Sequence, residues 1–123
     1  MTTTDKTPLT QDELSGFIGT ENYYRHSLNR SLLYTDGVKF LAERAGAYWL
    51  IDAIAIANAL PALKAEPFQS WKLTVSPGKS GLLVCEDGNS RSLWTERMQY
   101  TDFPLPEITL FCTDNVLMLT SEY

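Results

Sequence analysis

The order of apolar and polar positions divides the chain near Pro67 into a part with helical spacing and a part that alternates. Leu14, Phe17 and Ile18 fall at i, i+3 and i+4, one face of a helix. They follow Thr10-Gln11-Asp12-Glu13, which has the spacing of a capping box, and Gly16 and Gly19 keep that helix short. Val38, Leu41, Ala42 and Ala45 repeat the helical period after Thr35, an N-cap with Asp36 beside it, and Gly46 supplies the stop. Between these two helices, residues 21–34 keep no clear period and read as irregular or strand-like. From Ala47 to Leu60 only Asp52 and Asn58 are polar. The run is shorter than the roughly 20 apolar residues a membrane span needs. It is therefore expected to be the central helix, buried on nearly all sides and ended by Pro61.

Beyond Phe68 the period becomes two. Trp71, Leu73 and Val75 alternate with Lys72, Thr74 and Ser76, and Pro77-Gly78-Lys79-Ser80 turns the chain into a second strand over 82–86. Asp87-Gly88-Asn89 is a hairpin signal leading into a third strand over 92–99. A fourth follows over 107–112, and Thr113-Asp114-Asn115 turns into a fifth over 116–120. Helices first and strands second, joined by short connections, predict an α+β fold. The expected arrangement is about three N-terminal helices on one face of a C-terminal five-stranded antiparallel meander. Residues 1–9 are expected to be a frayed tail and residues 10–123 one domain, a size that buries a real core without staples.

Charge narrows the function classes. Ten basic and 15 acidic residues give a net charge of -5, and Lys and Arg nowhere cluster, so a nucleic-acid partner is not expected. Cys85 and Cys112 fall on strands with another strand between them, beyond disulfide reach, and two free thiols suit a reducing cytoplasm. The N-terminus lacks the basic start and apolar core of a signal peptide, so neither export nor membrane insertion is expected.

Candidate chemistry is sparse. Asp52 is a carboxylate in an oily helix, costly to bury unless paired, and Arg25 and His26 in the aromatic segment are its expected partners. A structural clip is the favoured reading of that pairing, with an acid/base role as the alternative. His26 is the sole histidine, and no zinc-ligand spacing accompanies it. No nucleophile elbow or phosphate loop occurs, and Pro77-Gly78-Lys79-Ser80-Gly81 reads as a turn. The segment from Tyr100 to Pro106 is stiffened by two prolines. It is expected to fold back over the core, or else to offer Phe103 and Leu105 to a partner or a second copy.

Several strings occur together: Asn22-Tyr23-Tyr24-Arg25-His26, Tyr34-Thr35-Asp36-Gly37-Val38, Gly46-Ala47-Tyr48-Trp49-Leu50-Ile51-Asp52-Ala53, Trp71-Lys72-Leu73, Tyr100-Thr101-Asp102-Phe103-Pro104-Leu105 and Leu119-Thr120-Ser121-Glu122-Tyr123. As a set they resemble an uncharacterised domain-of-unknown-function family of short bacterial proteins, often carried on plasmids and other mobile elements. The likeness spans about residues 14–123 and implies no activity, cofactor or site residue.

The expectation is a non-catalytic accessory or protein-interaction module without cofactor or metal, cytoplasmic, with a protein partner or a homodimer. The alternative is a small-molecule binding protein or minor enzyme with a pocket near Tyr24, His26 and Asp52. The candidate binding residues are Tyr24, Arg25, His26, Asp52 and Phe103.

Overall fold

The computed structural model describes residues 9–123; of the expected frayed tail, residues 1–9, the first eight lie outside them, and Leu9 is buried. The first helix, α1 (Gln11–Ser15), opens on the Thr10/Glu13 capping box. Two three-residue strands follow, β1 (Tyr23–Arg25) and β2 (Leu33–Thr35). Next, α2 (Asp36–Ala45) begins at Thr35, whose hydroxyl accepts the Val38 N–H, and ends at Gly46 in the left-handed conformation that glycine tolerates. The oily run forms α3 (Tyr48–Ala57), and Pro61 starts a further short helix, α4 (Pro61–Lys64). Proline suits a first helical turn, where its missing N–H has no partner to lose.

Five longer strands complete the fold: β3 (Phe68–Val75), β4 (Gly81–Glu86), β5 (Ser92–Met98), β6 (Glu107–Thr113) and β7 (Val116–Leu119). A 3-10 turn, Thr120–Glu122, follows the last strand. All seven strands join one sheet in the order β1-β2-β7-β6-β3-β4-β5.

This overturns the expected five-stranded antiparallel meander under three helices. Four α-helices are present among the described residues, and the seven-stranded sheet is mixed, because β2 pairs with β7 in parallel. β6 does not pair with β5. It returns to the free side of β3, giving the order β6-β3-β4-β5, the spatial pattern of a Greek key. The connection from Gln99 to Pro106 makes that return possible by crossing the ends of β4 and β3. Pro106 accepts the Val75 N–H at 2.8 Å, and Thr101 donates its N–H to Lys79 at 2.8 Å. Phe103 and Leu105 point into the core along the way.

Burial alternates along β3, β4, β6 and β7, so one face of the sheet carries Trp71, Leu73, Leu83, Cys85, Ile108, Leu110, Cys112, Leu117 and Leu119 into the core. The cysteines are separated by one strand, as expected, but that strand is β3. The outer face holds a smaller cluster, with Tyr123 packed edge-on against Phe68 and Phe111.

Candidate functional site

The oily helix is not enclosed. Leu50, Ile51, Ile54, Ala55 and Ala57 of α3 are buried, but Ile56 is 60% exposed and Leu60, just past its end, is 48% exposed. The expected all-round burial fails because one side of α3 faces a groove instead of packed core. Between α3 and the inner face of β5 runs a groove of about 580 Å³. Trp49, Ala53, Ile56, Ala57 and Leu60 form one wall, with Trp94 and Met98 opposite. The Trp94 ring lies 5.7 Å from that of buried Trp71, so the groove is continuous with the core. Its two charged lining residues, Asp52 on α3 and Glu96 on β5, are both acidic.

Asp52 is 56% exposed, and its Oδ1 lies 2.8 Å from Nε2 of His26, which is 4% exposed. The expected pairing of these two residues is therefore present. His26 Nδ1 accepts the N–H groups of Leu28 at 3.1 Å and Asn29 at 3.0 Å. Those two contacts require Nδ1 to be the acceptor, so Nε2 carries the proton and donates it to Asp52. Both ring nitrogens are occupied. Asn29 completes the clip by donating its side-chain N–H to the Ala55 carbonyl at 2.8 Å, which fastens the β1–β2 loop to α3.

The other expected site residues lie apart from this pair. Arg25 is exposed and bonds the Arg30 carbonyl instead of Asp52. The Tyr24 hydroxyl donates to Asp36 Oδ1 at 2.8 Å, and its ring stacks on Tyr34. Asp36 also accepts the N–H groups of Glu21 and Asn22, and these bonds, that of Tyr24 foremost, hold its carboxyl down at about 2. Tyr24 and His26 do not line the groove that Asp52 lines, and no pocket-forming cluster of these three residues is evident. Phe103 is 1% exposed and belongs to the core, which removes it from any surface. Both cysteine thiols are buried, and burial pushes each up to about 12, leaving them protonated. Among the described residues no group of three or more His, Cys, Asp or Glu side chains could hold a metal ion. No helix among them is long and apolar enough to cross a membrane.

Two features escaped the sequence. The groove was hidden because an exposed isoleucine on an oily helix has the same spacing as a buried one. The second is a buried amide network. Asn58 and Gln69 donate to each other's side-chain oxygens at 3.1 and 2.8 Å, Gln69 also donates to the Leu63 carbonyl at 2.7 Å, and Trp71 Nε1 donates to Gln69 Oε1 at 2.8 Å. Asn58 was visible as a polar interruption of the run; nothing in the alternation of β3 marked Gln69 as its partner.

Fold and site together define a mixed-sheet α+β domain with an open apolar groove at one sheet edge. Over residues 8–123 the chain matches the family of unknown function DUF6876, and it belongs to that family. No curated protein and no solved structure matches it.

Proposed function

We propose that this domain is a non-catalytic protein-interaction module that docks a partner in the groove between α3 and β5. The observation that carries the reading is the exposed stripe of Ile56 and Leu60 facing Trp94 and Met98 across that groove. Apolar surface of this kind, with tryptophans inside it, is what binding interfaces are built on. The occupied ring nitrogens of His26 and the protonated thiols argue against acid/base or thiolate chemistry at these residues. The reading includes a cytoplasmic setting, suited to free thiols, and a bacterial accessory role on mobile DNA, as the resemblance implied.

The test is a comparative pull-down with the wild-type chain and Ile56→Asp, from the cells that produce it, alongside light scattering. Wild-type protein is expected to recover a partner that Ile56→Asp loses while remaining folded. Equal recovery by both, or a wild-type chain that stays a free monomer with no partner, overturns the proposal.

A further inference from the structure

Resting on that reading, we infer that the occupant of the groove is an amphipathic helix of a partner protein, with lysine or arginine flanking its apolar face. Trp49, Ala53, Ile56 and Leu60 follow one another at steps of four, three and four residues along one side of α3 and its extension. At a rise of 1.5 Å per residue this wall is about 16 Å long, matching three turns of a helix with apolar residues at i, i+4 and i+7.

The edge strand argues against an extended occupant. β5 breaks register against β4 at Cys85/Glu86 and carries Glu96 and Arg97, both exposed, and such irregularity and charge on an edge discourage strand addition. Charge separates a partner from a second copy. Asp52 and Glu96 stand on opposite walls of the groove, and no Lys or Arg lines it. His26 engages Oδ1 of Asp52, and no ion pair among the described residues includes Glu96. A twofold pairing of two grooves would gather four carboxylates around one closing apolar surface, a like-charge arrangement that disfavours the match. A helix with a cationic border meets both acids with opposite charge.

The experiment uses the full chain and synthetic helical peptides of about 14 residues, a length that spans the groove. They share leucines at i, i+4, i+7 and i+11 and carry Lys, Gln or Glu at the remaining exposed positions. A fourth peptide alternates Leu and Lys as a strand. Indole N–H resonances report binding: Trp49 and Trp94 line the groove, while Trp71, bonded to Gln69, is the internal control. The Lys helix is expected to bind tightest and the Glu helix weakest. Trp49 and Trp94 should shift while Trp71 holds still, and Glu96→Lys should weaken the Lys helix by about fivefold. Ile56→Asp should abolish the shifts. Equal binding of Lys and Glu helices, preference for the strand peptide, or a free chain that dimerises through this groove overturns the inference, yet leaves the groove as a docking surface. If no peptide shifts Trp49 or Trp94, the inference falls. The docking reading falls with it only if the pull-down also fails, through equal recovery by Ile56→Asp or a wild-type chain that stays a free monomer with no partner.

Discussion

The Glu122 carboxylate occupies the space that a side chain at Gly37 would need. A Cβ at Gly37 would stand 2.6 Å from Glu122 Oε1 and 2.7 Å from Leu119 Cδ1. The close approach lets Glu122 accept the Thr35 hydroxyl at 2.6 Å, the Leu119 N–H at 2.9 Å and the Gly37 N–H at 3.2 Å. A carboxylate from beyond the last strand thus sits on the positive end of α2, where an anion is favoured. It ties the end of β7 to the start of a helix more than 80 positions earlier.

The sign of one substitution tests this arrangement. Glycine to alanine inside a helix ordinarily stabilises by roughly 0.5–1 kcal/mol. Gly37→Ala is expected to destabilise by about 1–3 kcal/mol instead, since the new methyl displaces Glu122 or Leu119. In a Glu122→Ala background the penalty should shrink, leaving the part owed to Leu119. Urea unfolding of the four proteins gives the coupling, which should reach at least ~0.5 kcal/mol. Additive effects would show that the carboxylate is not the obstacle.

Acid should release a second tie at the same helix. Asp36 holds the segment from Thr20 to Tyr24 against α2, and its folded pKa of about 2 lies below the ordinary 3.8. A depressed pKa favours the folded chain whenever the group is ionised. Its contribution is therefore complete above the unfolded value and is lost as pH falls from about 4 towards 2. The stability gap between wild type and Asp36→Asn should be flat from pH 5 to neutrality and should close across that acid window. A gap that widens on acidification would refute the assignment.

His26 makes a prediction about local motion. Its Nδ1 takes the N–H groups of Leu28 and Asn29, so His26→Ala leaves both donors without a partner. Losing such a bond costs about 1 kcal/mol, which speeds amide exchange by roughly fivefold. The effect should be confined to the β1–β2 loop, with β3 and β6 unchanged. Nitrogen spectra of the wild-type ring should show the Nε2–H tautomer. Finding the proton on Nδ1 would dissolve this account of the clip and restore a free ring nitrogen facing Asp52.

The parts legible in the sequence are those decided by neighbours in the chain. The Thr10/Glu13 box, the Thr35 cap, the Gly46 stop and the alternation of Trp71, Leu73 and Val75 all stand where the spacing put them. Strand order was not decided locally. β1 and β2 have three residues each, too few to display a period of two, and β2 finds its parallel partner at Val116 and Leu117. The Greek-key return had a visible cause in the stiff segment around Phe103, whose buried side chain anchors the crossing. A loop-length rule that makes consecutive strands neighbours could not represent it. At the site, the sequence located the charge of Asp52 and its histidine, while the openness of α3 depended on how that helix sits against β5, which no local spacing records.

The buried amides decide whether the α3–α4 corner is held by polar bonds or by packing alone. Gln69 uses its full capacity: Oε1 accepts from Asn58 and Trp71, and Nε2 donates to Asn58 and Leu63. Asn58→Leu strands one side of the reciprocal pair in a site from which water is excluded, with an expected cost of about 1–3 kcal/mol. Gln69→Leu should cost more, since the Trp71 indole and the Leu63 carbonyl lose their partner with it. Removing both amides eliminates the unpaired groups they leave on each other, so the double variant should be more stable than the sum of the single losses predicts. It should not regain wild-type stability, because Trp71 and Leu63 remain unsatisfied. A double-mutant cycle by chemical denaturation reads the difference. Strict additivity would mean that the two side chains stabilise the corner independently, Asn58 by donating to the Ile54 carbonyl at 3.0 Å and Gln69 by donating to the Leu63 carbonyl, and that their mutual bonds contribute nothing.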